Sequence, residues 1–428
     1  MARSITIRRE TKNKWERRTP ITPNAVRSLR SAGFEIDVES SAIRVFPDGD
    51  YLAAGGALVP DCDQSEIVVG IKEPNPALIQ PGQTHLAFSH TIKGQPYNMP
   101  LLQKFLDVGA TLIDYEPIVN EKGQRLVAFG RFAGLAGAID TLWLAGKKLQ
   151  LKGEKSPLQS LKQTHEYASL DELRGALAAI APLAQPLRML VLGAGNVASG
   201  VIDILEWLGI PRISGAQVLN GAEGPWYSVL DFAEMLRRKG GGEFSLDEYF
   251  SEGAERYEGR LEEYLGKFDV LLNTAFWTAK YPRQLTQALM RERKADLPWM
   301  IGDISCDIDG SLECTLDASS IDEPDFTYNV DLRTISPGHS WEGPTIMAID
   351  NLPCELPRDA SEYFSACMLP FLPELMTMDS SKSLAESGLS ETMQRAVIVY
   401  RGELTERFRY LQQHLDLAAR KGAAAVNA

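Results

Sequence analysis

The stretch Met189-Leu-Val-Leu-Gly-Ala-Gly-Asn-Val-Ala-Ser-Gly200 decides how this sequence is expected to fold. Its first four residues are apolar and predict a short, buried parallel strand. Gly193 and Gly195 then predict a sharp turn, and Val197 to Leu208 has the apolar spacing of a helix. A strand, a glycine turn and a helix N-terminus in this order bring free backbone N–H groups close to a phosphate. The pattern G-x-G-x-x-A in this context predicts dinucleotide binding, with a purely structural glycine turn as the alternative.

Length and composition restrict the class of protein. A chain of 428 residues is too long for one ordinary core, so two domains are expected. The formal net charge of −13 argues against nucleic acid and anionic membranes as partners, because both attract clustered positive charge. The expected partners are small-molecule substrates, with no nucleic acid and no membrane, and the chain could form a homo-oligomer.

Cysteine and histidine usage predicts a cytoplasmic protein without a metal site. The five cysteines are scattered and form no C-x-x-C pair, which is typical of free thiols in a reducing compartment. The five histidines show no ligand spacing, so no metal site is predicted. The N-terminal residues do not resemble a signal peptide, and no apolar run reaches the length of a membrane span.

Strand and helix patterns alternate along the chain, which predicts an α/β fold. We expect two Rossmann-like, doubly wound domains with a cleft between them and C-terminal helices that return to the first domain. The first domain, for substrate, is predicted to comprise residues 1–130 with about 350–428. Residues 131–186 are predicted to form a connecting helix and linker, and residues 187–349 the dinucleotide-binding Rossmann domain.

Two residues that can transfer protons follow neighbouring strands of the first domain. Lys72 ends the predicted strand Glu66–Glu73, and His90 ends the next one. Ligands of open α/β sheets bind at the carboxyl ends of strands, so both side chains could share one crevice. Desolvation lowers the pKa of a lysine and histidine titrates near neutrality, so the pair could act as acid and base. The structural alternative is that Lys72 pairs with a surface carboxylate and His90 caps a loop.

Further charged residues surround these strand ends. Arg18, after the first strand, and Arg125, near the fifth, could bind substrate carboxylates through bidentate hydrogen bonds. Glu73 and Glu116 end strands on the same edge and could tune the Lys72/His90 pair or hold an ammonium group. Surface solvation is the alternative explanation for all four of these residues.

The predicted coenzyme site combines the glycine turn with the ends of later strands. Its residues are Gly193, Gly195, Asn196, Val197, Asn220, Asn273, Thr274, Ala275, Asp303 and Asp307. A second strand is predicted over Arg212 to Asn220, followed by a helix over Tyr227 to Arg238. The position that carries an acid in NAD-binding folds is then Asn220, and the missing acid favours NADP over NAD.

Several motifs together resemble the lysine–2-oxoglutarate reductase domain. This family is related to saccharopine dehydrogenases and, more distantly, to alanine dehydrogenase and the transhydrogenase nucleotide subunit. The motifs are Arg8-Arg-Glu-Thr-Lys12, Glu16-Arg-Arg-Thr-Pro-Ile-Thr-Pro23, Gly70-Ile-Lys-Glu-Pro74, Phe88-Ser-His-Thr-Ile-Lys93, Leu126-Val-Ala-Phe-Gly-Arg-Phe-Ala-Gly134 and Ala348-Ile-Asp-Asn-Leu-Pro-Cys-Glu-Leu-Pro357.

The resemblance implies reductive condensation of lysine with 2-oxoglutarate to saccharopine by a nicotinamide hydride, or the reverse reaction. It places the acid–base pair on Lys72 and His90. The carboxylate-binding arginines would be Arg18 and Arg125, and the tuning acids Glu73 and Glu116. The alternatives are an NAD-dependent, lysine-forming saccharopine dehydrogenase, an alanine-dehydrogenase-like enzyme that uses ammonia and pyruvate, and a non-enzymatic nucleotide-sensing module.

Overall fold

The computed structural model describes residues 4–183 and 185–426, with side chains up to residue 420. The chain divides into two compact units: unit 1 is Met1–Ala128 with Pro357–Ala428, and unit 2 is Phe129–Leu356. Unit 1 is therefore built from both ends of the chain, whereas unit 2 is continuous. Residues 131–186, predicted to be a connecting helix and linker, lie within unit 2.

The helices and strands alternate through most of both units. The first part of unit 1 contains β1 (Ile5–Ile7), α1 (Pro23–Ser31), β2 (Ile36–Glu39), α2 (Asp48–Ala53), β3 (Ala57–Val59), β4 (Ile67–Val69), β5 (Thr84–Ala87), α3 (Met99–Asp107) and β6 (Thr111–Asp114). Unit 2 contains α4 (Gly130–Leu151), α5 (Leu170–Ala178), β7 (Arg188–Leu192), α6 (Asn196–Trp207), α7 (Gly215–Leu219), β8 (Trp226–Leu230), α8 (Phe232–Met235), β9 (Leu236–Arg238), α9 (Leu246–Glu252), β10 (Tyr257–Gly259), β11 (Val270–Asn273), α10 (Gln287–Glu292), β12 (Met300–Asp303), β13 (Asp325–Asn329), β14 (Thr334–Pro337) and β15 (Thr345–Met347). Unit 1 is completed by α11 (Pro357–Met368), α12 (Leu372–Thr377), α13 (Glu391–Gln394), β16 (Val397–Tyr400), β17 (Glu403–Leu404) and α14 (Leu411–Val426).

Unit 1 contains an eight-stranded sheet in the order β17-β16-β6-β5-β4-β1-β2-β3. Strands β1 to β6 are parallel, and β16 and β17 add an antiparallel edge beside β6. The chain runs outward from β1 through β2 and β3 and then crosses to β4 on the other side of β1. The adjacent strands β1 and β4 therefore flank a topological switch point, where open α/β sheets bind ligands.

Unit 2 contains a seven-stranded sheet in the order β14-β13-β15-β12-β11-β7-β8. Strands β7, β8, β11, β12 and β15 are parallel, while β13 and β14 form an antiparallel edge. The chain moves from β7 to β8 and then to β11 on the opposite side, so β7 and β11 flank the switch point of this sheet. The predicted α/β class with two Rossmann-like sheets is confirmed.

Helices α4 and α6 approach each other closely through glycine. A Cβ atom at Gly200 of α6 would lie 2.6 Å from the backbone nitrogen of Leu135 and even closer to the Arg131 carbonyl oxygen. A Cβ atom at Gly134 of α4 would collide with the Val197 carbonyl oxygen. Only glycine permits this backbone separation, which explains the small residues at the start of α4.

Two stretches fold differently from the sequence prediction. The strand predicted over Arg212 to Asn220 is wrong: this segment contains helix α7, and the strand beside β7 is β8. The helix predicted over Tyr227 to Arg238 is also wrong, because most of β8 and all of β9 lie there. Strands β16 and β17 lie among the C-terminal helices that were expected to return to the first domain, and they complete the sheet of unit 1.

A buried pair of carboxyl groups joins α4 to the end of unit 2. Asp140 and Glu355 are both fully buried, and the two carboxyl groups lie within electrostatic range of each other. The backbone N–H and the hydroxyl of Thr164 both donate to Asp140 Oδ1 at 2.8 Å, and the His165 backbone N–H donates to Glu355 at 3.2 Å. Burial and the neighbouring Glu355 raise the pKa of Asp140, and burial raises the pKa of Glu355 to about 7. The pair therefore retains a proton near neutral pH.

We expect the stability of unit 2 to depend on this proton. Because the carboxyl pKa values are raised in the folded state, their stabilising contribution is present at acid pH and is lost as the pH rises through about 7. Asp140→Asn supplies a permanent donor to Glu355 and still accepts from Thr164. We expect it to increase stability at pH 8 by about 1 kcal/mol, or roughly 2–4 °C in Tm, with little change at pH 5. Thermal unfolding at both pH values tests this, and an unchanged pH dependence would contradict it.

In the described part of the chain, no helix is long and apolar enough to cross a membrane. In residues 4–183 and 185–426, no group of three or more histidine, cysteine or acidic side chains is arranged to hold a metal ion.

Candidate active site and coenzyme site

Residues that follow β1 hold the backbone around Lys72. One carboxylate oxygen of Glu10 accepts from the Ile71 N–H at 2.7 Å, and the other accepts from the Lys72 N–H at 3.1 Å. Arg8 donates to the Lys72 carbonyl oxygen at 2.8 Å and to Glu10 at 3.3 Å. Both Arg8 and Glu10 are buried. The turn after β4 is therefore fixed from one side by a buried ion pair at the switch point.

The Lys72 ammonium group has a distinct environment. It makes no hydrogen bond or ion pair within the described residues, although most of the side chain is sheltered from solvent. Burial, and next the positive charge of Arg18, lower the pKa of Lys72. The attraction of Glu16 and Glu73 opposes this shift without cancelling it. Lys72 can therefore lose its proton more easily than an ordinary lysine, as a general base must.

Glu73 joins the loops after β4 and β5. One of its carboxylate oxygens lies 3.0 Å from His90 Nδ1, and the other accepts from Lys12 Nζ at 2.6 Å. The His90 ring also stacks on Phe88, with ring centroids 6.5 Å apart. Partial burial of Glu73 would raise its pKa, but the hydrogen bonds from His90 and Lys12 outweigh burial and lower it strongly. Glu73 is thus an ionised carboxylate that orients the imidazole.

Both predicted carboxylate-binding arginines are held by acids. Arg18 is buried and forms a bidentate pair with Glu16, with nitrogen–oxygen distances of 2.8 and 2.6 Å. Arg125 is half-exposed and donates to Glu116 at 2.8 Å. The structure brings together Glu73 with His90 and Arg125 with Glu116, while Lys72 lies within electrostatic range of Arg18 and Glu73.

Two buried acids of this site are not predicted from the sequence. Glu10 fixes the backbone of Lys72, and Asp114 binds the loops that carry His90 and Glu116. Both acids lie at or just after the carboxyl end of a strand, the same signal that identified Lys72. Their burial could not be read from the sequence, because isolated acids are usually exposed.

The glycine turn of unit 2 has the geometry that a dinucleotide phosphate requires. Gly193 adopts a φ of +93°, and its missing Cβ lets Thr274 and Ala275 lie beside the turn. A Cβ atom at Gly195 would meet nothing within 4 Å, so this glycine faces open space. Helix α6 begins at Asn196 without a side-chain hydrogen bond at its N-cap. Its first N–H groups are therefore available to an anion, and the residues present fit a dinucleotide.

The remaining predicted coenzyme residues lie at the carboxyl ends of β11 and β12. Asn273 and Asp303 are buried and bond to each other at 2.9 Å, and Asp303 also accepts from Ser305 and Thr315. Burial raises the pKa of Asp303, although three hydrogen-bonded side chains oppose the shift. Thr274 donates to the Leu192 carbonyl oxygen at 2.7 Å, which ties β11 to the glycine turn. Two further predicted residues, Val197 and Asp307, follow the glycine turn and β12 respectively.

The segment around Asn220 differs from the strand predicted there, and an acid follows the next strand. Asn220 is an exposed residue at the C-terminal end of α7. The second strand of the sheet, which was predicted to end at Asn220, is instead the next element, β8. The residue directly after β8 is Asp231, which is exposed and caps α8 by accepting from the Glu234 N–H at 3.1 Å. The sequence pattern of this strand is the run Trp226-Tyr-Ser-Val-Leu-Asp231. Its aromatic and branched residues favour a strand, and the acid that follows them is typical of a helix N-cap.

Comparison with known proteins agrees with this architecture. Residues 6–136 match the family model described as "Alanine dehydrogenase/PNT, N-terminal domain". The chain is 31% identical over 440 residues to the mitochondrial alpha-aminoadipic semialdehyde synthase of Bos taurus, an alignment that covers 96% of this chain. It is 28% identical over 385 residues to saccharopine dehydrogenase [NAD(+), L-lysine-forming] of Yarrowia lipolytica, covering 88% of this chain and 93% of that protein. The chain is thus similar in sequence to proteins named for aminoadipic semialdehyde and saccharopine chemistry, and its residues 6–136 are similar to the N-terminal domain of alanine dehydrogenase and PNT.

Two solved structures share the fold of this chain. An L-alanine dehydrogenase aligns with a TM-score of 0.64 and 19% identity over 97% of this chain and 99% of that one. A transhydrogenase from Sinorhizobium meliloti aligns with a TM-score of 0.58 and 16% identity over 94% and 100% of the two chains. The chain spans about half the length of the Bos taurus relative, 47%.

Proposed function

We propose that this chain catalyses the nicotinamide-dependent reductive condensation of L-lysine with 2-oxoglutarate to saccharopine, or its reversal. The observation that carries the proposal is the Lys72 ammonium group, which is largely sheltered from solvent and makes no hydrogen bond or ion pair among the described residues. It lies within electrostatic range of Glu73, the partner of His90. The relatives of this chain include proteins named for saccharopine and aminoadipic semialdehyde chemistry. In the proposed reaction the ε-amine attacks the keto carbon, water leaves to give an imine, and a hydride reduces the imine carbon.

Lys72 and His90 would transfer the protons of this reaction. Lys72, with its lowered pKa, would take a proton from the ε-ammonium group of the substrate, because only the neutral amine is a nucleophile. The imidazole of His90 would donate a proton to the departing hydroxyl group and is oriented for this by Glu73. A dihydronicotinamide coenzyme, when bound, would supply the hydride and would be held by the Gly193–Asn196 turn.

Arg18 and Arg125 would bind the carboxylates of the keto acid. Their pairing with Glu16 and Glu116 fixes both guanidinium groups before a substrate arrives, which reduces the entropy lost on binding. The substrate lysine carries positively charged ammonium groups, and the carboxylates of Glu73 and Glu116 would attract this charge to the site.

The test is turnover with defined substrate pairs. Oxidation of NADH and NADPH is followed with L-lysine plus 2-oxoglutarate and then with ammonia plus pyruvate. We expect turnover with the first pair. Turnover with ammonia and pyruvate alone would identify an alanine-dehydrogenase-like enzyme. Tight coenzyme binding without turnover of either pair would instead support the nucleotide-sensing module and overturn the enzymatic proposal.

We further propose that the coenzyme is NAD(H) rather than NADP(H), which reverses the preference drawn from the sequence. That preference rested on Asn220, whereas Asp231 occupies the end of β8, the strand next to β7. An acid at this position accepts from the ribose hydroxyls of NAD and repels the 2′-phosphate of NADP.

Asp231→Ala should reduce the preference for NADH. We expect the ratio of kcat/KM for NADH to that for NADPH to exceed one in the unmodified chain and to fall about 10-fold or more in the variant, since hydrogen bonds to charged groups contribute about 1.5–3 kcal/mol. Glu223→Ala is a matched control, because Glu223 is another exposed acid that precedes β8 in the chain. An equal change in both variants, or an unmodified chain that prefers NADPH, would contradict the proposal.

Small-molecule substrates are the proposed partners, and neither nucleic acid nor a membrane is proposed. The cytoplasmic location and a homo-oligomeric state stay predictions from sequence. The relatives in Bos taurus, Mus musculus and Rattus norvegicus carry the word mitochondrial in their names.

A further inference from the structure

Asp114 is a fully buried carboxylate at the end of β6 that none of the proposed reaction steps uses. Its Oδ2 accepts from both the backbone N–H and the hydroxyl of Ser89, at 2.8 and 2.5 Å. Its Oδ1 accepts from the backbone N–H of Glu116 at 2.7 Å. One side chain thus binds the residue before His90 and the acid that holds Arg125.

The loop after β5 needs such an attachment. His90 has a φ of +51°, in the left-handed region that side chains other than glycine rarely adopt. Hydrogen bonds on both sides hold His90. On one side are the Asp114–Ser89 hydrogen bonds and a 2.8 Å hydrogen bond between the Ser89 and Thr91 hydroxyls. The Asn98 side-chain amide also donates to the His90 carbonyl oxygen. Ser89 and Thr91 are fully buried. The backbone conformation of His90 is therefore set by buried polar groups around it.

We infer that Asp114 is a positioning residue that holds His90 and the Glu116–Arg125 pair in one arrangement. The inference rests on the proposed function, because it assigns Asp114 a role through residues proposed to act in that reaction. The two carboxylate oxygens serve two branches: Oδ2 leads through Ser89 to His90, and Oδ1 leads through Glu116 to Arg125. An amide has only one acceptor oxygen, so an asparagine here cannot serve both branches.

The two branches should affect different kinetic constants, because His90 and Arg125 have different proposed roles. Displacement of His90 should lower kcat, because the imidazole acts in proton transfer. Displacement of Arg125 should raise KM for 2-oxoglutarate, because the guanidinium group would bind a carboxylate. Since misplacement of a reacting group by about 1 Å can cost about 100-fold, modest movement of either loop is sufficient.

The experiment compares three variants of the full chain. Ser89→Ala removes only part of the His90 branch, so we expect kcat to fall about 10-fold with little change in KM for 2-oxoglutarate. Asp114→Asn should lower kcat/KM for 2-oxoglutarate by about 10- to 100-fold without changing the Kd for the coenzyme. The control is Thr111→Val on the same strand, where a buried hydroxyl accepts from the Arg401 N–H at 3.1 Å. It removes one comparable hydrogen bond and should leave both constants near those of the unmodified chain.

A second measurement does not depend on turnover. The ring resonance of His90, assigned with His90→Gln among the five histidines, should shift in Asp114→Asn and Ser89→Ala but not in Thr111→Val. The inference would be overturned if the His90 resonance were unchanged in both Asp114→Asn and Ser89→Ala. Equal kinetic losses in these two variants and in Thr111→Val would overturn it as well. If the unmodified chain does not turn over lysine and 2-oxoglutarate, the proposed function fails, while the resonance still tests the placement. Should Asp114→Asn not fold, Ser89→Ala alone gives both measurements.

Discussion

Lys72→Met is expected to lower kcat for the condensation of lysine with 2-oxoglutarate by about 10²- to 10⁴-fold, the range that general acid–base groups contribute. Methionine has nearly the volume of the lysine stem, so the turn held by Arg8 and Glu10 should persist. The base is lost, however, and no other described amine lies in an equivalent position at the end of β4. His90→Gln should act in the same direction, because glutamine can bind Glu73 but cannot transfer a proton.

The pH profile gives a second signature of this variant. Lys72 must be deprotonated to act as a base, and burial lowers its pKa, so kcat/KM should rise with pH as the amine loses its proton. That rise should be absent in Lys72→Met. The coenzyme Kd should be unchanged, because the phosphate-binding turn lies in unit 2.

A matched control is Lys104→Met, on half-buried α3 of the same unit, which should retain full activity. Two results would contradict the assignment. Full activity of Lys72→Met would remove Lys72 from the mechanism, and loss of coenzyme binding would place it in the nucleotide site instead.

Gly200→Ala is expected to destabilise unit 2 by about 1–3 kcal/mol or more and to weaken coenzyme binding. The added methyl group would collide with the backbone of α4 at Arg131 and Leu135, and backbone atoms cannot move aside as a side-chain end can. Helix α6 would have to move, and its N-terminus carries the N–H groups proposed to bind phosphate. Stability and coenzyme affinity should therefore fall together.

Gly175→Ala is the control for helix propensity. Gly175 lies in α5, is exposed, and has nothing within 4 Å of its missing Cβ. Alanine there should be neutral or stabilise by up to about 1 kcal/mol, because it favours the helix and restricts the unfolded chain. Chemical denaturation of both variants, with coenzyme titration, measures the difference. If Gly200→Ala and Gly175→Ala changed stability and coenzyme affinity equally, the close contact between α4 and α6 would not be what excludes a side chain at Gly200.

The parts of the fold that could be predicted are those with a strong local pattern. The glycine turn, the apolar strands β4, β5 and β7, and α4 with its small residues were all readable, because turn chemistry and periodicity act over a few residues. Helix α7 was predicted as a strand, since its capping residues Ser214 and Gln217 were not weighed against the apolar residues. Strand β16 depends on pairing with β6, almost three hundred residues earlier, and no local signal encodes that partner.

The site divides in the same way. Lys72, Glu73 and His90 could be placed together because neighbouring parallel strands deliver their ends to one edge. The pairs Arg18–Glu16 and Lys12–Glu73 could not be derived, because the loops that form them have no periodicity. The proposed coenzyme acid Asp231 was missed for another reason, because the predicted second strand ended eleven residues too early, at Asn220.

The return of the C-terminal segment to unit 1 has a consequence for synthesis on the ribosome. Strand β6 emerges early, but its neighbour β16 is made only after the whole of unit 2. At about 5–20 residues per second the edge of β6 waits for tens of seconds without its partner. An unpaired apolar strand edge invites association with other chains, so the nascent protein is most exposed to aggregation while unit 2 is already free to fold. Slowing translation between codons 115 and 396 should therefore increase the demand for chaperones more than slowing it after residue 411.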